Sequence, residues 1–139
     1  MLIDEIKKAK VQAMKEHDED KKNAYSMVLS RYQVLLTSGR EAEVGDADIL
    51  SIIQKFVKEL DEEAEGYKKA GREESYRSTL AQKDAVSVFL PKQMGEEEIK
   101  AEILSLEDRS IPNVMKHFKA NFAGKVDMGL VSKIARSLQ

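Results

Sequence analysis

The side chains of this sequence best suited to chemistry are cations near its end: Lys116, Lys119, Lys125, Lys133 and Arg136, opposed over that stretch only by Asp127. Just before them, Glu96, Glu97, Glu98, Glu102, Glu107 and Asp108 carry the opposite sign. A helix pair with this cationic excess can hold phosphates through charge-assisted contacts. Basic residues on exposed faces can also do no more than keep a helix soluble, and the pattern leaves both readings open.

No other set of side chains suggests a reaction. The sequence has no Cys, which removes thiol nucleophiles, disulfides, iron–sulfur clusters and thiolate zinc sites. Its histidines, His17 and His117, fall in different parts of the chain, and His17 has no companion ligand at helical spacing. Neither a Gly-x-Ser-x-Gly elbow nor a Gly-x-x-x-x-Gly-Lys phosphate loop occurs. Serine–lysine chemistry is the one catalytic option left open. We therefore assign no catalytic residue, no metal and no cofactor. The acidic run Glu16-His17-Asp18-Glu19-Asp20 reads as a solvated connector that caps the next helix, in preference to a cation site. Tyr25 and Tyr32 lie two turns apart on one apolar face, where aromatics more often fill a core than stack on bases.

Composition bounds the partners. With 139 residues, 35% charged and 42% hydrophobic, and only seven Gly and two Pro, the chain favours helices and is too apolar to be disordered throughout. The net charge of −2 supplies no global basic field, so a nucleic acid must meet a local patch. No run approaches the ~18 consecutive apolar residues of a membrane span. The opening Met1-Leu2-Ile3-Asp4-Glu5-Ile6-Lys7-Lys8 lacks the apolar core of a signal peptide. A soluble cytoplasmic protein with no membrane role is expected.

The elements that position the cations are helical. Periodicity predicts an all-α chain, with an N-terminal unit of about four helices over 1–92 and a small three-helix tail over 93–139. Residues 2–17 carry a thin stripe of Ile3, Ile6, Ala13 and Met14 amid lysines. From Lys21 to Ser38 the stripe is Ala24/Tyr25, Val28/Leu29, Tyr32 and Leu35/Leu36, and Gly39 suits a left-handed terminus. Gly45 opens the most periodic segment, with an acidic first turn and Val44 and Ile49 as a hydrophobic staple. Its apolar positions are Ile49, Ile52/Ile53, Phe56/Val57, Leu60, Ala64 and Tyr67, and Gly71 closes it. Arg72 to Phe89 returns as the second arm of a hairpin, with Tyr76, Leu80, Val86 and Phe89/Leu90 inward.

Pro91 disfavours helix at Leu90, so that arm stops near Phe89 or Leu90. Gly95 then starts another helix, with Glu96, Glu97 and Glu98 in its first turn and Met94 and Ile99 as its staple. Stop, linker and start together make a hinge between two units. In the tail, Glu96 to Leu106 presents Ile99, Ile103, Leu104 and Leu106. A second helix has Pro112 in its first turn, presents Val114/Met115, Phe118 and Phe122, and ends at Gly124. Asp127 caps the last helix, where Val126 and Val131 form a staple and Leu130/Val131, Ile134 and Leu138 face the core. A unit of about 45 residues is close to the ~40-residue limit for a lone core. It is expected to be marginal by itself, docked on the first unit or swinging from it.

Several of these segments resemble a known family. They are Tyr67-Lys68-Lys69-Ala70-Gly71-Arg72, Phe89-Leu90-Pro91-Lys92-Gln93-Met94-Gly95-Glu96-Glu97-Glu98-Ile99, Val114-Met115 and Gly124-Lys125-Val126-Asp127-Met128-Gly129-Leu130-Val131. In order and spacing they resemble the YqeY-like family along nearly the whole chain. That family is similar to the C-terminal tail of the B subunit of the glutamine-dependent aspartyl/glutamyl-tRNA amidotransferase. There are departures. Gly95 stands where the family usually has Ser, Ile111-Pro112-Asn113 replaces the glycine before the Val-Met pair, and Lys116 replaces the glycine after it.

The resemblance implies an all-helical N-terminal unit, a three-helix tail and kinship with a tRNA-contacting module. It also implies a family label of carbon–nitrogen ligase with glutamine as amido-N-donor. In the amidotransferase that chemistry belongs to other domains, and this chain resembles only the appended tail. Residues and resemblance together point to a non-catalytic accessory module for tRNA or another structured RNA. Lys116, Lys119, Lys125, Lys133 and Arg136 would lie on the phosphate backbone. The alternatives are a helical adaptor that holds a protein partner in the groove between its units, and a stand-alone ligase.

Overall fold

The computed structural model describes residues 1–40 and 42–139, which form seven helices and no strand among the described residues. They are α1 (Leu2–Lys15), α2 (Glu19–Leu36), α3 (Asp46–Lys69), α4 (Glu73–Ser87), α5 (Glu96–Leu104), α6 (Ile111–Asn121) and α7 (Met128–Ser137). Contacts group α1–α4 and α5–α7 separately, in compact units Met1–Leu90 and Pro91–Gln139. Each unit has a hydrophobic core of its own. Among the described residues, no helix is long and apolar enough to cross a membrane.

In the first unit α4 returns along α3, α2 packs against both, and α1 packs chiefly against α2. Ile3, Ile6, Val28, Ile49, Ile53, Leu60 and Val86 are buried between them, as the 3.6-residue spacing predicts. Tyr25 belongs to this core. Its ring meets Phe89 edge to face at 6.0 Å, and burial pushes its phenol pKa up. Interhelical ion pairs run from Arg31 on α2 to Glu59 on α3 and from Lys83 on α4 to Asp61 on α3.

Helix ends follow the turn chemistry. Gly71 has φ +72°, and after it Arg72 N–H donates to the Tyr67 carbonyl at 2.9 Å, a left-handed terminus that satisfies carbonyls of α3. α1 ends in the same way on a residue with a Cβ. His17 has φ 57°, and Asp18 N–H donates to the Ala13 carbonyl at 2.9 Å. Asp18 then caps α2 by accepting from Lys21 N–H at 3.1 Å, so the connector is Glu16–Asp18. Glu19 and Asp20 of the acidic run already form the first turn of α2, where Asp20 accepts from the Ser78 hydroxyl. At the start of α3 the Asp48 carboxylate accepts from Gly45 N–H at 3.0 Å and from both terminal nitrogens of Arg40, at 2.9 and 2.8 Å. The Arg40 guanidinium, aided by that N–H, holds the Asp48 carboxyl below its ordinary range.

In the second unit α7 packs against both α5 and α6 around Ile99, Ile103, Val114, Phe118, Val126, Val131 and Ala135. Met94 packs on this core beside buried Ile99, and Val126 and Val131 are both buried, so the staple residues at α5 and α7 lie where their spacing puts them. Gly95 N–H donates to Glu98 Oε1 at 3.4 Å, and Pro112 is the second residue of α6.

Some expectations need correction. Met14, Leu36 and Leu104 are exposed although each falls in a predicted stripe. Each directly follows a residue that faces inward more fully: buried Ala13, half-buried Leu35 and buried Ile103. Successive residues of a helix stand ~100° apart, so only one of each pair can face the core squarely. α4 ends at Ser87, slightly before Phe89, and the chain continues in a turn with Phe89 N–H on the Val86 carbonyl at 3.2 Å. α5 ends at Leu104, so Leu106 reaches the core from the following loop. Thr79, a polar residue outside the stripe, is buried on α4, where its hydroxyl donates to the Ser75 carbonyl at 2.8 Å.

Candidate nucleic-acid interface

The second unit places the predicted cations on a frame built by two segments far apart in sequence. Met94 N–H donates to the Lys125 carbonyl at 2.8 Å. The Gln93 amide donates to the Gly124 carbonyl at 2.7 Å and to that of Pro91 at 2.9 Å. Pro91–Met94 is thereby tied to the turn between α6 and α7. Gly124 has φ +78°, which carries the chain away from α6 without the steric cost a Cβ would add. Asp127 Oδ1 accepts from Gly129 N–H at 2.9 Å and caps α7.

Lys116 and Lys119 are one turn apart on the side of α6 opposite buried Val114 and Phe118. Lys133 and Arg136 are likewise paired on α7, away from buried Val131 and Ala135. Lys125 lies in the turn that joins the two helices. All of these cations are exposed, and none has a carboxylate within ion-pair distance among the described residues. They form two helix-borne pairs and a turn lysine. Lys92, also exposed, lies two residues before the Met94–Lys125 bond. Sequence reading passes over it as part of a linker, and the signal that could have found it is the motif that contains it.

Several carboxylates of this unit go elsewhere. Glu98 accepts from Gly95 N–H, and Asp108 accepts from Ser110 N–H at 3.0 Å, a bond that lowers the Asp108 pKa. Glu102 accepts from His117 Nε2 at 2.8 Å and so links α5 to α6. The His117 ring lies against Phe118 and Phe122, with centroids 5.6 and 5.9 Å away. Asn121 Nδ2 donates to the His117 carbonyl at 3.0 Å and approaches Nδ1 at 3.3 Å. His117 is therefore engaged as a clamp between helices. Among the described residues no group of three or more His, Asp or Glu side chains is arranged to hold a metal ion.

Such an arrangement can neutralise anions spread over a surface, because exposed lysines on short helices hold point charges without enclosing a ligand. No curated protein matches the chain significantly. The model of the family described as Yqey-like protein matches residues 3–138. With that match spanning both units, the chain belongs to the YqeY-like family.

Proposed function

We propose that this protein is a non-catalytic accessory module that binds tRNA or another structured RNA through its second unit. The observation that carries the reading is the charge of α6, α7 and their turn: Lys116, Lys119, Lys125, Lys133 and Arg136 are exposed and without ion pairs among the described residues, while Glu98, Glu102, Asp108 and Asp127 serve backbone N–H groups or His117. Unpaired lysines release counterions when they meet phosphates, a gain that lysines already held by carboxylates lose. Backbone contacts of this kind set affinity and register, and the shape of the RNA sets preference. The proposal assigns no bond-making step to the chain. Reversing charge at Lys125 and Lys133 (Lys125→Glu with Lys133→Glu) should abolish binding of bulk tRNA at low salt, read by fluorescence anisotropy. Unchanged affinity in that double variant would contradict the assignment.

The adaptor reading has one observation in its favour. Met27 and Val34, two turns apart on α2, are 42% and 67% exposed. Pull-down of the tagged protein with and without ribonuclease separates the readings, because partners held through RNA are lost on digestion and partners held by an apolar face are kept.

A further inference from the structure

We infer that the outward face of α1 is a second phosphate-binding surface, which takes the backbone of RNA through Lys7, Lys8 and Lys15. The inference rests on the reading of the partner as RNA and is independent of the tail cations. A shallow depression of about 350 Å³ on this helix is lined by Lys7, Lys8, Val11, Gln12 and Lys15, with no carboxylate among them. The three lysines are exposed and have no ion pair among the described residues. Lys21, Lys55, Lys68 and Arg72 of the same unit are likewise unpaired but lie outside α1, and Lys22, Arg31, Lys69, Arg77 and Lys83 are each paired with an acid.

The opposite face of α1 fixes this one in place. Ile3, Ile6 and Ala13 are buried in the core, so the lysines sit on a helix anchored along its length. From Lys7 to Lys15 the helix rises about 12 Å. That length is enough to meet a few adjacent phosphates of one strand. The Gln12 amide adds a neutral donor between the charges. A lipid surface suits the face less well. An interfacial helix inserts a broad apolar side, and the apolar side of α1 is already in the core, leaving Val11 alone in the depression.

The test uses the full chain, bulk tRNA and a salt titration from about 50 to 200 mM, the range over which phosphate contacts are most visible. A Lys7→Gln, Lys8→Gln, Lys15→Gln triple variant should keep its helical circular dichroism. Its log–log salt dependence should be shallower by about 2–3, at ~0.7–0.9 per lost contact. If the slope is unchanged while Lys125→Glu with Lys133→Glu removes binding, the α1 surface is overturned and the tail interface stands. If the slope falls while the tail variant binds like wild type, the α1 surface stands and the tail interface is overturned. Absence of RNA binding by the wild-type chain overturns both. Lysine-dependent binding to phosphatidylserine vesicles with an unaltered RNA slope overturns the assignment in favour of a lipid surface.

Discussion

In Met1–Leu90, three cations are tied to acids on neighbouring elements: Arg31 to Glu59, Lys83 to Asp61, and Arg40 to Asp48. In Pro91–Gln139, Glu98, Glu102, Asp108 and Asp127 are tied to backbone N–H groups or to His117, and the lysines of α6 and α7 have no ion pair among the described residues. Similar side chains thus do different work in the two units. A surface ion pair contributes ~0–1 kcal/mol, so pairing strengthens the first unit only modestly. Leaving lysines unpaired costs the second unit little and preserves its capacity to attract phosphate. In the first unit too some cations are unpaired among the described residues, and the outward lysines of α1 are grouped along one face.

The cores differ in reserve, and a substitution in the smaller one should break the comparison most sharply. Phe118 is fully buried at the centre of the second unit, and Phe118→Ala should cost about 3–5 kcal/mol. That matches the whole stability of a unit of this size at ~0.05–0.15 kcal/mol per residue. The second unit should lose amide-exchange protection while α1–α4 keep theirs. Loss of protection in both units would show that they fold as one.

Smaller effects come from two of the left-handed residues that follow helices in the first unit, His17 and Gly71. Gly71→Ala should lower its stability by about 1 kcal/mol, because the φ of +72° is strained for a residue with a Cβ. His17→Gly should raise it by about 0.5 kcal/mol by relieving the same strain at φ 57°, less the chain entropy that glycine adds to the unfolded state. Urea denaturation followed by amide exchange in α1–α4 reads both changes, and equal signs would refute the account of these turns.

The smallest effect is titratable. The folded pKa of Asp48 lies below its ordinary 3.8, so its contribution is complete above that value and is lost as pH falls through the lowered folded pKa. Asp48→Asn should remove this part of the acid response from the first unit and leave that of the second unchanged. An identical acid profile in the variant would show that the bond to Arg40 contributes nothing.

Much of the fold was legible because alternating burial leaves a periodic trace. Ile49, Ile53, Phe56, Leu60 and Ala64 all lie inward as their spacing demands. Glycine and proline marked the boundaries because few other residues adopt their backbone states freely. What escaped were choices between adjacent apolar residues, such as Ala13 and Met14, and the burial of Thr79, whose hydroxyl is satisfied within its own helix. The candidate site was legible as a list of cations and hidden as an arrangement. Nothing in the spacing reveals that Gln93 and Met94 would bond to Gly124 and Lys125, because that pairing depends on how three short helices bring distant segments together. The lysines of α1 escaped for a similar reason, since their lack of acidic partners is a property of side-chain placement.

The most direct measurement compares two charge reversals of equal size. Lys125→Glu with Lys133→Glu alters unpaired lysines of the second unit, and Lys22→Glu with Lys69→Glu alters lysines already paired with Glu19 and Glu65. With tRNA at low salt, the first variant should lose binding and the second should bind like wild type. Equal losses in both would mean that net charge alone governs the interaction, and the distinction between held and unheld lysines would be wrong.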